Sequence, residues 1–273
     1  MPTELSPLTA FLHIFRRVAT FDGGRYVVGV AIMFAVLALV ARTSWRARRI
    51  QPRRASPADM RRELRASAVS IVVYAAVATP TFWLRSNGHL PPMRVEPQGV
   101  LHVLAYVGAM MLAHDAWFYW THRLMHHRRL FRTFHRLHHR STTPTPLAAY
   151  AFNATEAAVE AAFFVLWINV VPTPWIALFL FLALVMLRNV WGHSGVELMP
   201  AGFADHRFWG LFATTTHHDL HHSGGLRYNY GLYFTWWDRL MGTEHPRYRE
   251  TFREVTARTA RGPEGAAAAA AAR

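Results

Sequence analysis

Histidine is the residue of this chain whose number and spacing could support chemistry. Seventeen histidines are present, and eight of them fall in one H-x3-H cluster and two H-x-x-H-H clusters. Residues three or four apart share one face of a helix, so an H-x3-H pair can point two imidazoles at one site. In H-x-x-H-H the third imidazole is rotated around the helix axis, so it can reach a neighbouring metal while the other two hold the first. The clusters are His122 and His126; His135, His138 and His139; and His218, His221 and His222. Because neutral imidazole is the commonest metal ligand, we predict a metal centre.

Eight imidazoles exceed the needs of one ion, which takes about four to six ligands, and they suit two neighbouring ions. His193 is a further candidate ligand, and His114, eight residues before His122, is a possible ligand or a residue supporting the ligands. A ligating imidazole usually gives its other N–H to a carboxylate, a carbonyl or water. The acidic side chains expected in that supporting role are Asp115, Asp219, Glu156 and Glu160. Imidazole suits zinc, copper, iron and nickel alike, so the ligand type leaves the metal open.

Composition excludes several classes of protein. The 273 residues include no cysteine, which rules out disulfide scaffolds, cysteine-based zinc fingers and iron–sulfur clusters. Apolar residues make up 52% of the chain, too many for a disordered protein, and charged residues only 17%. With a formal net charge of +14 on so apolar a chain, we expect a membrane protein rather than one that binds nucleic acid.

Four charge-free apolar runs are the elements that would position the histidines. They cover 26–41, 66–84, 97–114 and 161–187. A membrane-spanning helix needs about 20 apolar residues, so the first three runs predict spans, the first with its flanks. The fourth run breaks at Pro172 and Pro174 into two arms that we expect to be too short to span. It therefore predicts a re-entrant helical hairpin. Isolated histidines such as His13 and His245 are expected at the surface or in structural roles.

The distribution of arginine predicts the orientation. Residues 42–65 carry nine Arg against one Asp and one Glu, and short cytoplasmic loops collect positive charge. This loop and both histidine-rich regions would then face the cytoplasm, in a bacterial inner membrane. The fold class expected is an all-α integral membrane bundle with a re-entrant hairpin and a cytoplasmic histidine-box metal domain. The aromatic run 117–120 is expected to anchor a helix at the interface.

The histidine-rich stretch 114–141 closely resembles the sterol desaturase branch of the fatty acid hydroxylase superfamily, membrane enzymes with three histidine boxes. The later residues Asn229-Tyr230-Gly231 and Trp237-Asp238-Arg239-Leu240 match the same family, and the resemblance spans about 70–245. It places His193 at the lone histidine that follows the hairpin. Some members carry another histidine four residues later, where this chain has Glu197, which we therefore expect to be a ligand or a supporting residue.

The resemblance implies two iron ions, O2 as co-substrate, and hydroxylation or desaturation of a lipid C–H bond. It also implies a separate electron-transfer protein. The lipid stays open among sterols, fatty acyl chains, alkylglycerols and isoprenoids. The domains expected are an N-terminal segment over 1–65, an enzyme domain over 66–250, and a disordered tail over 251–273.

The sequence is compatible with two other functions. A metal transporter would place its polar ligands in the middle of the spans, whereas here the clusters lie outside the apolar runs. The second alternative is an arginine-rich module that binds nucleic acid or anionic lipid through residues 42–65. The preference of short cytoplasmic loops for positive charge already explains these arginines.

Overall fold

The computed structural model describes residues 6–91, 95–224 and 226–259, and within them the chain is helical with no strand. Four helices are long and apolar enough to cross a membrane: α1 (Pro7–Val40), α2 (Pro57–Ser86), α3 (Val100–Met125) and α6 (Trp175–Gly192). The remaining helices are α4 (Phe131–Phe134), α5 (Ala154–Val170), α7 (Thr215–His222), α8 (Trp236–Leu240) and α9 (Tyr248–Ala257). The predicted all-α membrane bundle is thereby confirmed.

The outer surface of the bundle is apolar. Leu101 is 83% exposed and Val170 is 76% exposed, and many other large aliphatic side chains of the long helices also face outwards. A water-soluble protein rarely exposes so extensive an apolar surface, whereas the lipid of a bilayer covers it without cost. The chain is an integral membrane protein.

Close helix packing holds the bundle together on both sides of α6. Tyr26 and Met33 of α1 pack with Met186 of α6 in one core cluster, and Phe163 of α5 packs with Phe181 of α6 in another. At the α1–α6 crossing, a Cβ on Gly29 would lie 2.6 Å from Cγ of Met186. A larger residue at position 29 would displace the Met186 side chain from this contact.

Helices α5 and α6 form the two arms expected from the fourth apolar run, divided at 171–174. The second arm is longer than expected, because α6 continues to Gly192. The apolar run ended at Arg188, but this side chain is buried and its Nε donates to the carbonyl of Leu232 at 2.7 Å. This hydrogen bond helps the guanidinium to remain inside the protein, so the charge does not end the helix.

Two helices run across the expected domain boundaries. Helix α2 begins at Pro57, before the boundary at residue 65, because Ser56 and Asp59 form a reciprocal N-terminal cap. At the other end, the expectation of disorder from residue 251 is wrong for 251–257. Those residues belong to α9, which buries Phe252 and Val255 on one face. Residues 260–273 of the expected tail lie outside the described residues.

Candidate metal centre

Nine histidine side chains converge in two neighbouring groups at one end of the bundle. In each group the potential ligand nitrogens all lie within 4.8 Å of one another. The five-histidine group consists of His122, His126, His135, His139 and His221. The four-histidine group consists of His138, His193, His218 and His222. All nine histidines that were expected as ligands lie in these two groups. Each H-x-x-H-H cluster is divided between them.

Helix ends and short turns position these side chains. His122 lies in the last turn of α3 and His126 caps that helix, while His193 caps α6. His138 and His139 lie in a 3₁₀ turn, and α7 carries His218, His221 and His222. The long helices therefore deliver their histidines at the same end of the bundle, and the connecting segments fold over them.

Hydrogen bonds at Nδ1 fix the tautomers of several imidazoles. His122 Nδ1 lies 2.9 Å from the carbonyl oxygen of Tyr230, and His135 Nδ1 lies 2.6 Å from Oε1 of Glu156. Both Nδ1 atoms donate to these acceptors, so each Nε2 keeps a lone pair. His193 and His221 donate in the same way to the carbonyls of Asn189 and Tyr228, at 2.7 Å each.

The spacing of the Nε2 atoms fits metal ligation. Those of His122 and His135 are 2.9 Å apart, and two lone pairs at this distance repel each other unless a cation accepts both. With metal–nitrogen bonds of about 2.1 Å, two ligands at right angles on one ion stand about 3.0 Å apart. In the four-histidine group, Nε2 of His218 lies 2.9 Å from that of His193 and 3.1 Å from that of His222.

Burial keeps the imidazoles neutral. Desolvation, followed by the proximity of the other imidazoles, places the pKa values of His135, His138 and His221 well below the ordinary value. Desolvation also lowers the pKa of His193 to about 4. Metal binding requires deprotonated ligands, so both groups hold the binding form at neutral pH.

The loop 228–231 orients two of the clustered imidazoles, a role that the sequence motif did not reveal. Its carbonyls at Tyr228 and Tyr230 accept from His221 and His122. The carboxylate of Asp238 holds the loop by accepting the backbone N–H groups of Tyr230 and Gly231, at 2.9 Å each. The two family motifs around Asn229 and Asp238 thus form one support for the five-histidine group.

The acidic residues expected near the site have different positions. Glu156 contacts His135 and fulfils the expected supporting geometry. Asp115 contacts no imidazole of either group: it accepts from the backbone of Tyr233 at 3.0 Å and from Trp236 Nε1 at 2.8 Å. Asp219 accepts from Gln51 at 3.0 Å, and burial raises the pKa of its carboxyl to about 7.

Glu197 and His114 lie in neither histidine group. Both carboxylate oxygens of Glu197 accept hydrogen bonds, Oε1 from the backbone of Met199 and Oε2 from the backbone and hydroxyl of Thr216. Glu197 therefore holds the first turn of α7. His114 contacts the hydroxyl of Tyr233 at 2.9 Å and lies two turns below His122 on α3.

An apolar cavity of about 550 Å³ lies among α1, α2, α3, α5 and α6, next to the histidines. Its wall includes Phe118 and Phe152, whose ring centroids lie 5.0 Å from those of His122 and His138. The cavity therefore reaches the layer of side chains beside the two groups. Phe118 belongs to the aromatic run 117–120, which was expected to anchor α3 at the membrane interface. Within this run, Trp120 is 45% exposed and has the outward position that an anchor needs.

Comparison with known proteins is consistent with this architecture. The model of the fatty acid hydroxylase family matches residues 107–243, half of the chain and all nine clustered histidines. The chain belongs to the fatty acid hydroxylase family. The matched region begins within α3 and includes the loop 228–231 and Asp238, whereas α1 and α2 precede it.

Three curated relatives of this fatty acid hydroxylase family protein are named as sterol enzymes. Rat lathosterol oxidase is 33% identical over 55% of this chain and 48% of its own length. Rat methylsterol monooxygenase 1 is 30% identical over 48% of this chain and 43% of its own length. The Delta(7)-sterol 5(6)-desaturase of Gibberella zeae is 26% identical over 80% of this chain and 60% of its own length. The chain spans about half the length of the first two relatives. No solved structure matches it at a significant level.

Proposed function

We propose that this protein is a membrane-bound di-iron oxygenase that hydroxylates or desaturates a lipid C–H bond, with O2 and electrons from a separate protein. One observation carries the proposal: two adjoining groups of buried, neutral imidazoles lie beside an apolar cavity that is large enough for a lipid. The relatives are named as sterol oxidases and desaturases, so a sterol is the first substrate to test.

The nine clustered histidines are the proposed ligands, with one ion in each group. Iron there would supply the redox chemistry that activates O2, which zinc lacks. Glu156 and the carbonyls of Tyr228 and Tyr230 keep three of the imidazoles in the tautomer that ligation requires. The aromatic walls at Phe118 and Phe152 exclude water and hold the lipid chain beside the centre.

The proposed location is a bacterial inner membrane with the histidine groups on the cytoplasmic side. Glu156 near the start of α5 and His193 at the end of α6 both lie at the histidine groups, which supports a hairpin that returns to the same side. Helix α6, with 18 residues, is long and apolar enough to cross a membrane, contrary to the expectation of two short arms. The proposed hairpin rests on the return of both arms to the histidine groups.

Metal analysis and lipid mass spectrometry test the function together. Protein loaded with iron is expected to hold two ions per chain, and cells that produce it should contain an oxidised lipid that control cells lack. His138→Ala and His221→Ala should abolish that product while the protein still inserts, because insertion depends on the apolar helices. The matched controls His13→Ala and His245→Ala should retain it. A protein that moved metal across the membrane and changed no lipid would be a transporter instead.

A further inference from the structure

The segment 48–51, which we call the strap, lies between α1 and α2 and outside the region 107–243 that the family model matches. Hydrogen bonds join it to three other segments: the chain that leaves α6, the stretch that follows the histidine-bearing 3₁₀ turn, and α7. Each of these three elements carries proposed metal ligands. The strap is therefore connected to the histidine groups although it contains no histidine.

The backbone of the strap pairs with the chain that leaves α6. The N–H of Ile50 donates to the carbonyl of Gly195 at 3.0 Å, and the N–H of Glu197 donates to the carbonyl of Arg48 at 3.0 Å. These two hydrogen bonds form a short antiparallel bridge. Gly195 and Glu197 follow His193 by two and four residues, so the bridge restrains the chain next to this imidazole.

The side chain of Gln51 joins the two other segments. Its Nε2 donates to the carbonyl of Thr142 at 2.9 Å and to the carboxylate oxygens of Asp219 at 3.0 and 3.1 Å, and its Oε1 accepts from the hydroxyl of Thr143 at 3.2 Å. A carbonyl can only accept a hydrogen bond, so the partner at Thr142 fixes the orientation of the amide. One amide group thus ties α7 to the stretch after the 3₁₀ turn.

All four members of the four-histidine group come from the elements that the strap connects. The 3₁₀ turn supplies His138, the end of α6 supplies His193, and α7 supplies His218 and His222. These elements are far apart along the chain. Their contacts with the strap therefore help to set the distances between the imidazoles of this group.

The five-histidine group has supports of its own. It shares the 3₁₀ turn and α7 with the other group, but His122 and His126 come from the end of α3. In addition, Glu156 and the carbonyls of the loop 228–231 accept hydrogen bonds from three of its imidazoles. Loss of a strap contact should therefore affect the two groups unequally.

Arg48 anchors the strap itself. Its side chain is buried, its Nη1 donates to the carbonyl of Met199 at 2.8 Å, and its Nη2 donates to the hydroxyl of Thr259 at 3.0 Å. The guanidinium also lies 4.2 Å from the ring centroid of Trp45, within the range of a cation–π contact. The strap is thus fixed to the rest of the fold, and this anchor restrains the position of Gln51.

We propose that Gln51 is a positioning residue for one of the two metal ions, the ion of the four-histidine group. Through Asp219 and Thr142 it holds α7 and the stretch after the 3₁₀ turn at the separation that ligation requires. Gln51 acts through these segments and is not itself a ligand. The inference rests on the metal centre of the proposed function, and metal binding tests it without turnover.

Equilibrium binding of Zn²⁺ to the detergent-solubilised full chain, with a chromogenic chelator as competitor, is the direct experiment. Zinc binds imidazole and has no redox chemistry, so it reports on both groups independently of catalysis. Wild-type protein should bind two ions per chain. Gln51→Met keeps the length of the side chain and removes its hydrogen bonds. It should weaken the binding of one ion about 10- to 100-fold and leave the affinity for the other unchanged.

Matched variants identify the weakened ion. Glu156→Ala acts on His135 of the five-histidine group and should weaken the other ion, so the double variant Gln51→Met/Glu156→Ala should weaken both. Gln98→Met is the same substitution at an exposed glutamine just before α3, whose opposite end carries the histidines, and it should bind both ions like wild type.

A second variant of the same contact keeps the test decisive. Thr143→Val removes only the donor to Oε1 of Gln51, so it should weaken the same ion as Gln51→Met by a smaller factor. If Gln51→Met fails to fold, Thr143→Val decides the question, and wild-type affinity for both ions in that variant would then contradict the positioning role.

Three results with Gln51→Met would overturn the proposal: equal weakening of both ions, as expected for a purely structural residue, no weakening of either ion, or weakening of the same ion that Glu156→Ala weakens. Two bound Zn²⁺ ions with the expected pattern but no iron-dependent lipid product would refute the di-iron function alone. Two irons and a lipid product, with both Zn²⁺ affinities unchanged in Gln51→Met, would refute the positioning role alone. A wild-type protein that binds no metal would refute both.

Discussion

Replacing Glu197 by alanine tests whether this residue is a metal ligand or a carboxylate that only stabilises the fold. The change removes three hydrogen bonds and leaves the buried N–H groups of Met199 and Thr216 without an acceptor. Each stranded buried donor costs about 1–3 kcal/mol, and the carboxylate also stabilises the N-terminus of α7 by about 0.3–1 kcal/mol. We therefore expect Glu197→Ala to lower the free energy of unfolding by about 3–5 kcal/mol.

The measurement compares iron-free proteins first. Thermal unfolding in detergent is followed by tryptophan fluorescence. Thermal stability should fall strongly in Glu197→Ala, less in Glu197→Gln, and hardly at all in the exposed control Glu250→Ala. Because α7 carries His218 and His222, iron binding to the four-histidine group should weaken as a consequence. An iron-free variant as stable as wild type that nevertheless loses iron would refute this reasoning and make Glu197 a ligand.

Three further predictions concern the support of the site and its orientation. Glu156→Ala removes the acceptor of His135 Nδ1 and should weaken iron binding about 10- to 100-fold, measured by chelator competition. Gly231→Ala would place Cβ 2.4 Å from a backbone oxygen, so it should disrupt the supporting loop and lower both iron content and thermal stability. Since the chain has no cysteine, a single cysteine introduced at Arg54 should be labelled from the cytoplasm and one at Asn87 from the opposite side; the reverse pattern would contradict the proposed orientation.

Local spacing and composition determined much of this protein. The histidine clusters were recognisable because helical neighbours share a face, and the helices because long apolar runs need lipid or a core around them. The break at 171–174 followed from the closely spaced Pro172 and Pro174, whereas the single Pro80 is accommodated inside α2. These signals act over a few residues, so one sequence suffices to read them.

Tertiary structure decided how those parts combine. The division of each H-x-x-H-H cluster follows from its spacing, but which clusters share a group depends on contacts such as that between His122 and His221, which are distant along the chain. Glu197 lies four residues after His193 in the sequence, but Thr216 on α7 supplies two of its three hydrogen bonds. Helix α9 is ordered because Phe252 packs into a small core. The cavity forms where α1, α2 and α3 pack with α5 and α6. Long-range packing depends on the surfaces of several helices at once, and spacing along one segment does not contain that information.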